Sequence, residues 1–502
     1  MLPFAKNSFL VYNKKNIQKG EYLKLFGEIK GLNEECGIVG IWDHEEAASL
    51  AYVGLHTLQH RGQEGAGIVV KNKSELTQHK GLGLASEVFS KDILSEMIGT
   101  SAIGHVRYTT TGSNILANVQ PFLFHFSHGS MALCHNGNIT NAKTLRKNLE
   151  QNGSIFHSSS DTEVLAHLIT KSNKNTLVDK IKDAFNKIKG GFAFIIFTDE
   201  QMIAAMDPNG FRPLSIGKLG KSYIVASETC VFDTMGADFV KDVKPGELVI
   251  IDDTGISYDK YTEDTNLAVC SMEFIYFARP DSNIHGVNVH KARKSMGKVL
   301  ATEFPIKADV VCGVPDSGIS AAIGYAEESG IPYEIGLIKN RYVARTFIQP
   351  SQALREQGVK MKLSAVRGVV SGKSVIVVDD SIVRGTTSKR IVQLLREAGA
   401  AEVHFKVSSP PLIYPCFYGI DIQTTRELIA YEKSIEEIKD FIGADSLGFI
   451  SQQGLINAVN MPVQGKYRGL CMAYFNGDYP TDLYDYEEEM INKIKPNDLL
   501  RR

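Results

Sequence analysis

The sequence carries almost no net charge: 55 lysines and arginines stand against 57 aspartates and glutamates, for −2. Without a basic excess nothing global draws it to nucleic acid, and an anionic ligand must be held by local residues. It lacks any apolar run near the roughly 18 residues a membrane span needs. Cysteine is scarce, seven in 502 residues, odd in number and scattered. That excludes the dense disulfide framework of small secreted domains and points to a reducing cytoplasm. Internal repeats, low-complexity tracts and a full Walker A loop are also missing, since Gly220-Lys-Ser222 and Gly372-Lys-Ser374 lack the glycine five positions upstream. What is present is ordinary for a globular chain, 43% hydrophobic and 22% charged. At roughly 150 residues per domain, the length fits two to four domains.

Residues 1–35 read as a leader. Phe9–Tyr12 is too short for a secretory apolar core, and five lysines follow from Lys14 to Lys30. From Cys36 the pattern predicts a buried strand to Trp42 and a helix over 47–59. Short strand-like runs then dominate to about 265, interrupted by helical stretches near 162–171 and 177–188, which predicts stacked sheets covered by helices. After about 270 strand and helix alternate: strands at 310–314, 333–339, 374–378 and 402–408, helices at 320–329 and 387–398. That predicts a parallel α/β sheet. Beyond about 435 the chain reads as more helical and charged.

The strongest local signal is Val375-Ile-Val-Val-Asp-Asp-Ser-Ile-Val-Arg-Gly-Thr-Thr-Ser388. A buried strand ends in Asp379 and Asp380, and the loop Arg384-Gly385-Thr386-Thr387-Ser388 opens a helix. Glycine lets backbone N–H groups approach a phosphate, hydroxyls donate to it, and the helix N-terminus favours its charge. The two acids could hold ribose hydroxyls or Mg²⁺, which binds through one or two carboxylates plus phosphate oxygens. Val314-Pro315-Asp316-Ser317-Gly318 repeats the strand–loop–helix logic upstream. Lys339, Arg341 and Arg345 gather cations with few acids between them.

A second constellation lies in the first half. Arg107, where a strand meets a loop, could clamp a carboxylate with its bidentate fork. Asn136 and Gly137 offer an amide and an unhindered backbone N–H, the parts of an oxyanion hole. Asp161 stands at a helix start, as its cap or as a partner for a substrate ammonium. Cys36 begins a strand, where a cysteine is ordinarily a small buried hydrophobe.

The string at 375–388 resembles the signature of type I phosphoribosyltransferases, which bind 5-phosphoribosyl 1-pyrophosphate (PRPP). Cys36-Gly-Ile-Val-Gly, Gln59–Glu64, Gly104–Gly112, His135-Asn-Gly137, Ser159–Glu163 and Asp207–Pro213, in that order, resemble the class II glutamine amidotransferases. Together the halves resemble the glutamine–PRPP amidotransferases of purine synthesis. The implied fold is an α+β N-terminal-nucleophile sandwich, stacked sheets between helix layers, followed by an α/β type I phosphoribosyltransferase domain with a parallel sheet. The implied division is 1–35 propeptide, 36–268 glutaminase, 269–440 phosphoribosyltransferase and 441–502 a C-terminal helical extension.

The resemblance implies that the Cys36 thiol attacks glutamine with its own α-amine as base, an amine whose ordinary pKa is about 8. Cys36 must then become the first residue by cleavage after Glu35. It further implies Asn136 and Gly137 as oxyanion hole and Arg107 and Asp161 for glutamine. PRPP falls to Asp316, Lys339, Arg341, Arg384, Gly385, Thr386, Thr387 and Ser388, and Mg²⁺ to Ser317, Asp379 and Asp380. Ammonia would displace pyrophosphate from PRPP, giving 5-phosphoribosylamine, the first step of purine synthesis. Purine nucleotides are the implied feedback inhibitors, a homotetramer the implied assembly and the cytoplasm the implied setting, with no nucleic-acid or membrane partner.

Leu32-Asn-Glu-Glu-Cys36, Val366-Arg-Gly-Val369 and Ser408-Ser-Pro-Pro411 place the resemblance nearest a branch with a cleaved propeptide and a four-cysteine iron–sulfur cluster. Cys270, Cys416 and Cys471 match three of those cysteines, the last two of the four forming Cys-x-x-Cys. Arg468 is read here as the fourth position, which makes the three thiols degenerate ligands and a [4Fe–4S] cluster unexpected. Two other readings stay open: a glutaminase serving a sugar-phosphate acceptor, against which the 375–388 string speaks, and a non-catalytic PRPP sensor, which would need neither Cys36 nor Asn136.

Overall fold

The run Gly190–Phe197 shows how the first half is layered. Phe192, Phe194 and Ile196 pack into one buried cluster, and Ala193, Ile195 and Phe197 into another. Successive side chains of a strand point to opposite faces, so this strand lies between two apolar layers. The computed structural model describes residues 36–73, 75–108, 115–126, 129–340, 363–420, 425–463 and 465–487.

The strands of this half are β1 (Gly37–Trp42), β2 (Gly65–Asn72), β3 (Glu75–Leu82), β4 (Ser101–Arg107), β5 (Phe122–Phe126), β6 (Gly129–Ile139), β7 (Gly190–Phe197), β8 (Gln201–Met206), β9 (Ser215–Leu219), β10 (Ser222–Ala226), β11 (Asp238–Asp242), β12 (Glu247–Asp252) and β13 (Gly255–Lys260). They form two antiparallel sheets, ordered β11-β9-β10-β1-β4-β2-β3 and β13-β12-β8-β7-β6-β5. Ile38, Trp42 and Ile103 of the first sheet meet Cys134, Ile195 and Phe197 of the second in a shared core. Helix α1 (Ala47–Thr57) covers the outer face of the first sheet through Ala47, Ala51 and Leu55. Helices α2 (Thr162–Thr170) and α3 (Leu177–Lys187) cover the second through Leu165, Ile169, Ile181 and Phe185. The helix–sheet–sheet–helix sandwich agrees with the expected fold.

The second half holds β14 (Ala268–Cys270), β15 (Val310–Gly313), β16 (Ser374–Asp379), β17 (Glu402–Val407), β18 (Ser446–Phe449) and β19 (Gly469–Cys471). Its helices include α4 (Val289–Glu303), α5 (Ile319–Ser329), α6 (Thr386–Glu397), α7 (Ile435–Ile442) and α8 (Gln452–Val459). Strands β15-β16-β17-β18 form a parallel sheet in that order, as strand–helix alternation requires.

Two expectations are corrected. Of the strand expected over 333–339, only Leu337–Lys339 is extended as a strand. It pairs antiparallel with Leu363–Ala365, away from the parallel sheet. Tyr333 makes one parallel bridge to Val311 at the edge of that sheet, but Ile335 and Ile338 are exposed, so the run lacks the burial to continue there as a strand. The described residues of 441–487 mix strands with helices and are not a purely helical extension. Ser446–Phe449 completes the parallel sheet, α8 follows it with Ser451 donating to Glu303 of α4, and β19 pairs in parallel with β14. No helix among the described residues is long and apolar enough to cross a membrane.

Candidate active sites

The first site gathers where β1 and β4 run side by side, with Gly37 opposite Val106. That register sets Cys36 beside the end of β4, and its Sγ lies 3.6 Å from the Tyr108 carbonyl oxygen. Arg107, the last residue of β4, is buried and donates to the Asn118 carbonyl. Burial lowers the pKa of its guanidinium, opposed by the negative charges nearest it, on Cys36, Glu64 and Asp161. Gly62 makes room for this arrangement: a Cβ there would lie 2.6 Å from the Arg107 carbonyl carbon.

Asn136 and Gly137 lie on β6, in the facing sheet. The Asn136 side chain is buried, and its Nδ2 has no hydrogen-bond partner among the described residues. Buried donors are nearly always paired, so this amide has spare capacity for an acceptor. Gly137 has φ +137°, and a Cβ there would lie 2.1 Å from the Gly191 oxygen, so only glycine fits. Asp161 is not a helix cap. Its Oδ2 accepts the Ile139 N–H at 2.9 Å, and its Oδ1 lies 3.7 Å from His135 Nδ1. Burial pushes the Asp161 carboxyl up, but His135 and the Ile139 and Thr162 N–H groups hold it below its ordinary value. Sequence reading missed His135, which stacks on Phe194 at 4.2 Å, and Asn118, which holds Ser159 by two hydrogen bonds.

The second site sits at the carboxyl ends of β15 and β16, outside the parallel sheet, where ligands of open α/β sheets bind. Asp379 ends β16 and Asp380 follows it; both are buried. The Ser317 hydroxyl reaches across from the β15–α5 loop to Asp380 Oδ1 at 2.5 Å, and Ser381 donates to the other oxygen. Burial and the charge of Asp380 hold Asp379 well above the ordinary carboxylate range, and burial raises Asp380 as well. Two buried carboxylates side by side call for a cation. Ser317, Asp379 and Asp380 present oxygen donors suited to Mg²⁺, which typically takes one or two carboxylates and completes its shell from phosphate and water. Among the described residues no three His, Cys, Asp or Glu side chains form a group that could hold a metal ion.

Lys339 meets Asp316 at 3.0 Å, both exposed, on the same side as this loop. Arg384 pairs with Glu427 at 3.0 Å. Gly385 has φ +73° and precedes the first turn of α6; Thr386 is exposed there, whereas Ser388 is turned inward. Arg341 lies outside the described residues. A residue that sequence reading overlooked, Arg293 of α4, is buried, donates to the Phe274 and Ala278 carbonyls, and feels the charges of Asp380, Glu228 and Glu273.

The two sites are joined by buried ions. The Arg61 guanidinium contacts Glu228 and Glu273, and all three side chains are fully buried. Glu228 also accepts from His60 at 2.7 Å, Ser282 at 2.6 Å and the Arg279 N–H at 2.9 Å. Arg212 lies 3.8 Å from Glu273 and donates to the Tyr418 carbonyl at 2.7 Å. These contacts tie residues of the sandwich to residues of the second half. Tyr418 stacks on Phe211 at 4.1 Å, and a Cβ at Gly419 would lie 2.9 Å from Gly137, so the second half packs directly on β6. Removing one partner from such a network leaves a buried charge uncompensated. Glu273→Ala is expected to cost about 3–5 kcal/mol, read as a lower denaturation midpoint; an unchanged midpoint would mean that these ions contribute nothing net.

Cys270, Cys416 and Cys471 line one small buried cavity. Arg468 does not. It is exposed, with φ +47° in the turn before β19, because Cys471 is oriented by its pairing with Cys270 and the chain has already turned away three residues earlier. Tyr474 lines the cavity with the three thiols, its hydroxyl beside Cys416 and Cys270.

Residues 105–234 match the glutamine amidotransferase domain family, and residues 286–412 the phosphoribosyl transferase domain family. The chain is 61% identical over 461 residues to an amidophosphoribosyltransferase of Bacillus subtilis, an alignment covering 92% of this chain and 97% of that protein. It is 57% identical over 459 residues to an amidophosphoribosyltransferase of Staphylococcus aureus, covering 91% and 93%. Among solved structures it superposes with TM-score 0.86 on a Bacillus subtilis glutamine PRPP amidotransferase complexed with ADP and GMP, at 60% identity, covering 89% of this chain and 98% of that one. A structure described as the allosteric regulatory enzyme of purine biosynthesis matches with TM-score 0.88 at 59% identity, covering 92% and 100%.

Proposed function

The chain belongs to the amidophosphoribosyltransferase family, and from that membership we propose a two-site division of labour among its residues. At the first site the Cys36 thiol adds to the side-chain carbonyl carbon of glutamine. The α-amine of Cys36 takes the thiol proton and passes it to the departing ammonia, which leaves a thioester that water hydrolyses to glutamate. Asn136 Nδ2 and the Gly137 N–H receive the negative charge that develops on the carbonyl oxygen. Arg107 pairs with the glutamine α-carboxylate and Asp161 with its α-ammonium.

At the second site the ammonia attacks C1 of PRPP as the C1–O bond to pyrophosphate breaks, giving 5-phosphoribosylamine and diphosphate. The N–H groups at the start of α6, with Thr386 and Thr387, cradle the 5-phosphate. The backbone N–H groups of the Asp316 loop, with Lys339 and Arg341, face the pyrophosphate, and Arg384 binds PRPP from the loop before α6. Asp379, Asp380 and Ser317 would hold Mg²⁺, which when bound neutralises charge on the leaving diphosphate. Purine nucleotides are proposed as inhibitors, supported by the ADP and GMP complex of the Bacillus subtilis relative. A propeptide of residues 1–35, a homotetramer and a cytoplasmic setting belong to the same proposal.

The observation that carries the first half of this reading is the Asn136 amide, a buried donor with no partner among the described residues. It contributes most when an oxyanion forms. Asn136→Ala is therefore expected to lower glutamine-dependent kcat by about 10²–10³-fold, with ammonia-dependent synthesis nearly unchanged. Steady-state kinetics with the two nitrogen sources checks this. An unchanged glutamine kcat would remove Asn136 from the oxyanion hole.

A further inference from the structure

Cys270 and Cys471 are Cα partners in the parallel pair β14–β19. Cys416 comes from the segment after β17, and its sulfur accepts the Tyr418 N–H at 3.3 Å. The three residues are all but fully buried and line a cavity of about 10 Å³. That leaves room for at most about one water molecule. The rest of the space is taken by side chains, chiefly Tyr474 and Tyr479, with the Arg212 guanidinium in the wall.

Tyr474 follows Cys471 by three residues, at the start of the short helix Ala473–Asn476. Its backbone oxygen accepts both the Ile413 and Tyr414 N–H groups at 2.9 Å, which anchors it to the segment that delivers Cys416. Its buried hydroxyl has the sulfurs of Cys416 and Cys270 as polar neighbours. Tyr479 donates to the Pro415 carbonyl at 2.7 Å and closes the same wall.

A [4Fe–4S] cluster is held by four thiolates. The donor set here is three thiols and a phenol, and the phenol ring occupies volume that a cysteine at 474 would leave open. The buried guanidinium of Arg212 is fully engaged with protein groups, through the Tyr418 carbonyl and Glu273. The residues present do not fit the cluster. We propose that Tyr474, not Arg468, fills the fourth position, and that this chain has there a packed thiol–phenol core in place of an iron–sulfur cluster. The inference concerns this cavity alone and does not depend on the roles given to Cys36 or Asp379.

The test uses full-length wild type, Y474C and R468C, each treated anaerobically with ferrous iron and sulfide and then desalted. Iron per chain and visible absorption are measured before and after exposure to air. Wild type and R468C are expected to stay colourless, with unfolding temperatures that air does not change. Y474C is expected to gain a brown cluster of about four irons per chain and to lose both colour and thermal stability in air. Wild type with a stoichiometric cluster overturns the proposal, and so does R468C acquiring one. A folded Y474C, as judged by ammonia-dependent synthesis, that takes up no iron overturns the assignment of position 474. If Y474C fails to fold, iron content of wild type and R468C still decides whether the cavity is cluster-free.

Discussion

Cys36→Ala is expected to lower glutamine-dependent synthesis by at least about 10³-fold while ammonia-dependent synthesis is largely spared. The comparison must be made on chains that begin at residue 36, verified by intact mass, because an α-amine locked in a peptide bond cannot act as base. Cys36 lies at the mouth of the sandwich, half-buried beside Tyr108 and Arg107. Replacing its thiol by hydrogen removes the nucleophile and little packing. The Asp379–Asp380 site is built from other elements, so free ammonia can still reach PRPP. Collapse of both reactions to the same degree would mean that the two sites are not separable in this way. Full glutamine activity in a wild-type chain that retains Glu35 would remove the α-amine from the mechanism.

Asp380→Asn is expected to have the opposite signature, with synthesis falling about 10²–10³-fold whichever nitrogen source is given. Asparagine keeps the shape of the side chain and can accept from one of the two serine hydroxyls that donate to Asp380, while the other must turn to accept from its NH2, but it cannot supply negative charge to a Mg²⁺–PRPP complex. Because burial disfavours charge on Asp380 and crowding by Asp380 disfavours charge on Asp379, removing one of the two should leave the denaturation midpoint unchanged or raise it. Glutaminase turnover measured without PRPP is expected to change little. Lost synthesis with retained or increased stability separates a functional carboxylate from a structural one; unchanged kinetics would take Asp380 out of the site.

Some of the fold was legible because it rests on short-range rules. The short, continuous apolar run Phe192–Phe197 predicts a buried strand from its own residues. Val375–Asp380 followed by Arg384–Ser388 predicts strand, loop and helix from neighbours alone, and the structure keeps that order. Strands β3 and β13 escaped notice because they are polar sheet edges, half-exposed along much of their length. An edge strand is held by one neighbour and needs no apolar signature.

The sequence by itself determined which residues were available for chemistry: a cysteine before a buried strand, an Asn-Gly pair, two acids at a strand end, three scattered thiols. Only the tertiary structure decided who meets whom. Arg61 finds Glu228 and Glu273 across 167 and 212 residues, and no spacing rule reaches that far. The thiol cavity shows the same limit at short range. Arg468 and Tyr474 stand three residues before and three residues after Cys471, so a Cys-x-x-Cys spacing fits either one. The pairing of Cys471 with Cys270, and the chain's turn into Ala473–Asn476, bury one candidate against the sulfurs and leave the other in solvent.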